Sequence, residues 1–287
     1  MKFGAVDIDD PELEGSILAH TLRLSPSGAV KKGARLRADD IVRLRESGYA
    51  EVTVARLGPD DVHEDEAAHA LAEALAHPSL ALSETSTGRC NLEAAHPGLL
   101  VVDRARIDAV NRVSEALTIA TLPDRAWVQA GTMVATVKVI PFSVPRASIE
   151  EWKTRLGGAA ALEVMPMRAS EAGLVLTQLP GISSALLERA SRAQRARLAA
   201  FGSSVRREIR CEHSPSAVAR ALETLREEQC DPILVLGASA IVDRGDVIPS
   251  AVTQAGGTVV HLGMPVDPGN LLMLGTLGGQ TVFGLPG

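Results

Sequence analysis

Two segments within residues 168–287 carry the side chains best suited to chemistry. The first is Thr177-Gln178-Leu179-Pro180-Gly181-Ile182-Ser183-Ser184. It leaves an apolar run, offers glycine for close approach, and delivers two hydroxyls to the start of a helix. Free N–H groups and the positive end of the helix dipole make such a place suitable for a phosphate. The same sequence also serves as a capped strand-to-helix turn, which any α/β protein needs. The second segment runs from Gly237 through Ala238, Ser239 and Ala240 to Asp243-Arg244-Gly245-Asp246. Its small residues let a ligand reach the backbone, and its two carboxylates stand three residues apart. Asp246 reads as the N-cap of a helix with Pro249 in its first turn. Asp243 has no such duty and is the candidate for contact with a ligand or a bound metal, although Arg244 beside it could pair with it instead.

Other groups offer less. Arg189, Arg192, Arg195 and Arg197 share a helix whose apolar face is Leu187, Ala190 and Leu198, so they read as solvated rather than as a phosphate clamp. His213 and His261 stand isolated in the sequence. His63, Glu64, Asp65, Glu66 and His69 match no metal-binding spacing and read as the acidic first turn of an Ala-rich helix. There is no GxGxxG with a following acid, no GxxxxGK[ST], no HExxH and no GxSxG. The common dinucleotide, nucleotide, zinc-protease and esterase chemistries therefore lack their residues.

The elements that must position the two segments follow from the spacing of apolar residues and punctuators. Gly173–Thr177 is a short apolar strand, and Ser183 or Ser184 caps a helix running to Phe201-Gly202. Val205–Arg210 is a strand. Ser214-Pro215 opens a second helix with Val218, Leu222 and Leu225 on its buried side. Asp231–Gly237 is a buried strand, a helix runs from about Val247 to Ala255, and Thr258–Leu262 is a further strand. Leu271–Leu274 and Thr281–Gly284 read as a hairpin around Gly278-Gly279. This β-α-β-α-β-α-β order predicts a mostly parallel sheet with right-handed crossovers, the C-terminal part of an α/β protein with three layers. In such a sheet ligands bind beyond the carboxyl ends of the strands, where both segments fall.

Upstream the pattern is less regular. Ala38-Asp39-Asp40 starts a helix ended by Gly48, Glu51–Val54 alternates as a strand, and Gly58-Pro59-Asp60 closes this section. Gly98–Val102 and Thr132–Ile140 are strands, Arg106–Ala116 is helical, and Pro145 with Gly157-Gly158 points to a boundary between about 145 and 168. The expected organisation is an N-terminal segment 1–60, a mixed α+β, β-rich region 61–167, and an α/β domain 168–287.

The run LGASAIVDRGDVIPSAVTQAGGTVVHLGMPVDPGNLLMLGTLGGQTVFGLPG resembles the molybdopterin-binding domain of the MoeA family, the molybdopterin molybdotransferases. There a Gly-Gly-Val-Ser leads to a paired-Asp segment, a helix, a Pro-Gly segment and a final Gly-Leu-Pro-Gly. Gly237, Ser239, Asp243, Asp246, Pro268, Gly269 and Gly284–Gly287 stand at those places, and the resemblance covers residues 170–287. KKGARLRADDIVRLRESGYAEVTV is similar to the same family's N-terminal region, and GTMVATVKVIPF to a molybdopterin-binding subfamily often fused to a nucleotidyltransferase domain. The resemblance implies molybdopterin, or its adenylylated form, as ligand in molybdenum cofactor biosynthesis. It also implies transferase activity that inserts molybdate with release of AMP, Mg²⁺ as a companion ion, and a homodimer with a nucleotidyltransferase or molybdoenzyme partner. Thr177, Gly181, Ser183, Ser184, Gly237, Ala238, Ser239, Pro268 and Gly269 would bind the cofactor, and Asp243 and Asp246 would be catalytic. The chain departs from the pattern where lysines are expected: it has Asp267-Pro268-Gly269-Asn270. The first loop also lacks the Thr-Gly-Asp-Glu pattern, and the second is about two residues longer. These departures favour binding over catalysis and leave a metal requirement open.

Bulk composition sets the remaining bounds. The net charge of −6 argues against non-specific nucleic-acid binding. Aromatic residues are only 2%, so the cores must be aliphatic. Cys90, Cys211 and Cys230 are odd in number and lack CxxC spacing, which predicts a reducing compartment. No apolar run approaches the ~20 residues of a membrane span, and MKFGAVDIDDPELEG lacks the pattern of a signal peptide. The expectation is a cytoplasmic protein that binds molybdopterin. A non-catalytic pterin carrier or regulatory module, and an α/β enzyme acting on another phosphorylated metabolite, stand as alternatives.

Overall fold

The computed structural model describes residues 1–286, and the chain divides after Pro166 into two units. The N-terminal unit is built from short antiparallel pieces. Its elements are β1 (Lys2–Asp7), β2 (Ile17–Leu18), β3 (Leu22–Arg23), β4 (Ala29–Val30), α1 (Ala38–Glu46), β5 (Glu51–Arg56), β6 (Asp61–His63), α2 (Glu64–Ala74) and β7 (Leu80–Leu82). There follow β8 (Arg89–Ala94), β9 (Gly98–Val102), α3 (Arg104–Asn111), β10 (Leu117–Thr121), β11 (Trp127–Val128), β12 (Met133–Val139), β13 (Ser143–Pro145), α4 (Arg146–Leu156) and β14 (Leu162–Met165). The longest sheets have the orders β1-β5-β2, β10-β12-β8-β7 and β11-β9-β14. One aliphatic core gathers Leu13, Leu18, Leu36, Leu44 and Val54, and another surrounds the fully buried Trp152 with Leu71, Leu92, Leu100 and Leu162.

Helix α2 follows from its sequence. His63 Nδ1 accepts the Asp65 N–H at 3.2 Å, and Glu64, Asp65 and Glu66 fill the first turn. Ala67, Ala68, Leu71 and Ala72 form the buried face. These acids and histidines are thus helix-start groups. Asp65 also accepts the Gly88 N–H at 2.7 Å, and His69 faces Glu73 at 3.4 Å.

The C-terminal unit is the α/β arrangement that the alternation predicts. It comprises β15 (Glu171–Gln178), α5 (Ser184–Ala199), β16 (Ser204–Glu212), α6 (Pro215–Glu227), β17 (Ile233–Leu236), α7 (Val247–Gln254), β18 (Thr258–Leu262), β19 (Met273–Leu277) and β20 (Gln280–Leu285). The six strands lie in the order β16-β15-β17-β20-β19-β18. β15 pairs parallel with β16 and β17, and β17 pairs parallel with β20. β19 alone runs opposite to its neighbours, because the two-residue turn Gly278-Gly279 folds it onto β20. Both glycines have positive φ, at 60° and 92°, which matches the twist of a tight hairpin.

Alternation along the strands sorts side chains to two faces. Val175, Ile233, Val235 and Val282 pack under α6 and α7, against Val218, Leu222, Leu225, Ile248 and Val252. Leu174, Leu176 and Leu234 face the other way, toward Leu187 of α5. Helices on both faces of the sheet make three layers. Burying a leucine such as Leu222 contributes roughly 1.5–3 kcal/mol, so the paired faces fix which strand ends meet at the sheet's carboxyl edge.

Candidate functional site

The carboxyl edge of the C-terminal sheet gathers the ends of β15, β16, β17, β20 and β18. Thr177 near the end of β15 is buried, at 2% exposure, and its hydroxyl ties the first loop to the second. Thr177 Oγ accepts the Ala238 N–H at 2.7 Å, lies 2.9 Å from His213 Nδ1 and 3.4 Å from the Leu236 carbonyl oxygen. His213 follows β16 directly, and its other ring nitrogen, Nε2, lies 3.2 Å from Ser239 Oγ. One imidazole therefore touches a buried hydroxyl on the first loop and an exposed hydroxyl on the second. The sequence leaves His213 isolated; the structure puts it at the centre of the site.

Gly237 is required where it stands. A Cβ there would come within 2.7 Å of the Ser239 carbonyl oxygen, 2.9 Å of Ile248 Cδ1 and 3.7 Å of His213 Cε1. Gly284 makes a similar close approach, with Ile241 Cδ1 at 2.6 Å from a built Cβ. The second loop thus folds back over the end of β20, close to the Gly-Leu-Pro segment. Gly287 lies outside the described residues.

The start of α5 is shaped by Ser183, the N-cap, whose Oγ accepts the Leu186 N–H at 3.3 Å. Ser183 and Ser184 are both exposed. A cavity of about 180 Å³, mostly apolar, lies between this helix start and the ends of β15 and β17, lined among others by Thr177, Ile182, Gly237 and Ala238. A second, of about 300 Å³, is lined by Gln178–Ile182 and Glu212. Ile182 lines both, so the two cavities adjoin at the start of α5. A larger cavity of about 550 Å³ lies in the N-terminal unit between Met1, Glu12, Glu14–Ser16 and Arg56–Pro59, and holds none of these residues.

The two carboxylates differ from their expected roles. Asp246 occupies the N-cap position of α7, but its side chain does not cap the helix. Its Oδ2 turns back to accept the N–H groups of Val242 at 2.7 Å and Asp243 at 3.0 Å. Those two bonds, with the nearby charge of His213 in support, hold the Asp246 carboxyl below the usual aspartate range. Asp243 also has a structural duty, since its Oδ1 accepts the Gly245 N–H at 2.7 Å. A short loop without regular structure must satisfy its own backbone donors, and these two side chains do it. Arg244 does not pair with Asp243; its Nη1 donates to the Val259 carbonyl oxygen at 3.2 Å. Among the described residues no group of three or more His, Cys, Asp or Glu is placed to hold a metal ion. The protein side chains alone do not make a cage for Mg²⁺, which in such sites is bound by one or two carboxylates together with substrate phosphates.

Pro268 and Gly269 sit apart from this cluster. Their loop leaves β18, three strands from β17, which is roughly 14 Å at the usual strand spacing. It closes on itself through Leu272 N–H to the Gly269 carbonyl at 3.0 Å. It shares the carboxyl edge but has no hydrogen bond to either of the first two loops. On α5, Arg189, Arg192 and Arg197 are exposed as the spacing predicts, whereas Arg195 joins Ser191 and Glu208.

No family model matches the chain, and no curated protein matches it. Among solved structures it is similar to the CinA protein of Thermoplasma acidophilum, at 13% identity and a TM-score of 0.33 over 42% of this chain and 89% of that one. It is similar to the molybdopterin biosynthesis MoeA protein of Pyrococcus horikosii, at 14% identity and a TM-score of 0.32 over 100% of this chain and 70% of that one. A third similarity is to molybdenum cofactor biosynthesis protein B, at 15% identity and a TM-score of 0.33 over 43% and 83% of the two chains. Similarities of this size assign no activity. Among the described residues no helix is long and apolar enough to cross a membrane.

Proposed function

We propose that the C-terminal unit binds molybdopterin, or its adenylylated form, at the carboxyl edge of its sheet and that the chain serves molybdenum cofactor biosynthesis. The observation that carries this reading is the joining of the two loops through Thr177, Ala238, His213 and Ser239. It ties together the two segments that the resemblance to the MoeA family implies as ligand-binding. A phosphate would rest against the exposed start of α5, where the Ser184 and Ala185 N–H groups come before the first intrahelical bonds. The pterin would lie toward Ser239, where Gly237 and Ala238 allow backbone approach. Asp243 and Asp246 shape the second loop through the backbone groups they accept, and each keeps one oxygen for a ligand.

A carrier role is favoured over molybdate insertion by two features. Asp267 and Asn270 stand where the resemblance expects lysines, and each acid of the second loop already commits one oxygen to the loop's own backbone. The test is a titration of the full chain with molybdopterin, repeated with Asp243→Ala. Saturable binding by the native chain, weakened by the substitution, supports the reading, and its absence overturns it. Measuring AMP release from adenylylated molybdopterin with molybdate and Mg²⁺ then separates the roles: a carrier releases none. A sugar phosphate or nucleotide that outcompetes the pterin would point instead to an enzyme of another phosphorylated metabolite.

A further inference from the structure

The site has several acids and few cations to meet an anion. Asp243, Asp246 and Glu212 border it, while Arg195 and Arg210 are held by Glu208 and Glu188, and Arg244 by a main-chain carbonyl. Among the described residues, His213 is the basic side chain hydrogen-bonded to both loops. Its ring has a defined orientation. The Leu236 carbonyl can only accept, so it takes the Thr177 hydroxyl proton. Thr177 Oγ, which also accepts from Ala238, then accepts from His213 Nδ1–H. That is the arrangement in which every contact of the buried hydroxyl is a hydrogen bond. It leaves Nε2 as the nitrogen that exchanges a proton with the site: it accepts from the Ser239 hydroxyl when neutral and donates outward when the ring is charged.

We propose that His213 is the proton-switched anion contact of this site, its Nε2–H binding an oxyanion beside Ser239 so that the oxyanion binds together with one proton. Neutral imidazole offers the anion a lone pair, which repels it, whereas imidazolium offers a charged donor. Thr177 can accept from Nδ1–H in both states, so the switch needs no movement of the buried partner. Asp246 on the second loop feels the charge of His213; Glu212 precedes His213 in the chain and, like Arg220 of α6, acts near Cys211. When the ring is charged, its charge offsets that of Asp246 for the incoming anion. This inference rests on the reading that an anionic ligand occupies these loops.

Sulfate is a suitable probe because it does not titrate where histidine does. Its binding to the full chain is measured by calorimetry in two buffers of different ionisation heat, between about pH 5.5 and about pH 8, the range in which histidine ordinarily changes charge. The expected result is proton uptake with binding and affinity about tenfold higher at the acid end, since a charge-assisted hydrogen bond is roughly twice as strong as a neutral one and that difference corresponds to about a factor of ten in affinity. His213→Gln should lose both effects, and His213→Lys should bind equally well at both ends. Proton uptake that persists in His213→Gln, or native binding without it, overturns the inference. Molybdopterin titration at about pH 8 separates the two proposals. Loss of the sulfate linkage in a chain that binds the pterin removes the switch alone, and an intact linkage without pterin binding removes only the identity of the ligand.

Discussion

Replacing Thr177 by Val removes one buried hydroxyl while keeping the branched shape. That hydroxyl satisfies the Ala238 N–H at 2.7 Å and orients His213. The lost bond contributes about 1 kcal/mol, and leaving a buried donor unsatisfied costs about 1–3 kcal/mol, so a net destabilisation of about 2 kcal/mol is expected. Hydrogen exchange is the suitable assay, because a chain with two units need not unfold in one step. Amides of the central strands, such as Val175 and Val235, should exchange roughly 30-fold faster, the factor that corresponds to about 2 kcal/mol. The Ala238 amide should lose protection beyond that, and Thr177→Ser, which keeps the hydroxyl, should restore it. Unchanged exchange at Ala238 in Thr177→Val would refute the reasoning, as would a Thr177→Ser chain that exchanges as fast as Thr177→Val.

Three other expectations follow from the same geometry. Gly237→Ala should distort the second loop, because a Cβ meets the Ser239 carbonyl and Ile248; a cost of about 1–3 kcal/mol should appear as faster amide exchange in the central strands, together with weaker ligand binding. Asp246→Ala should expose the Val242 and Asp243 amides to exchange, whereas Asp246→Asn retains an acceptor and should do so less. Because the Asp246 carboxyl is held below its ordinary range, its hold on the loop is present above the unfolded aspartate range and is lost as pH falls through the folded value, which amide exchange at increasing acidity should show. Burial would push the Glu208 carboxyl up, but hydrogen bonds from Ser191, Arg210 and Arg195 outweigh it and hold it low. Its stabilising effect should therefore vanish on acidification, and Glu208→Gln should speed amide exchange in β15 and β16 near neutral pH by roughly the fivefold that corresponds to about 1 kcal/mol, while narrowing the gap to the native chain in acid.

The architecture of the C-terminal unit was legible because its signals are local. Ser183 before an amphipathic stretch, Pro215 in the first turn of α6, the apolar Ile233–Leu236 and the Gly278-Gly279 turn each specify an element without reference to distant residues. The site was only partly legible, because its links are tertiary. His213 meets Thr177 since β15 and β16 pair parallel with Thr177 opposite Cys211 and Gln178 opposite Glu212. That register, which no spacing within the chain reveals, sets the residue after Glu212 beside the end of β15. A usable signal did exist: a polar residue immediately after a parallel strand lies at the edge where ligands bind. The carboxylates show the opposite difficulty. Asp246 precedes a helix and so reads as its cap, yet the donors of its own loop lie as near and compete for the same oxygen.

The measurement that bears most directly on the proposed site is a titration of the full native chain with molybdopterin, compared with Ser239→Ala and Thr177→Val chains. The account predicts saturable binding to the native chain and at least about tenfold weaker binding to both variants, because Ser239 would contact the charged ligand and Thr177 orients His213 and the Ala238 backbone. No saturable binding by the native chain, or equal binding by all three, would contradict it.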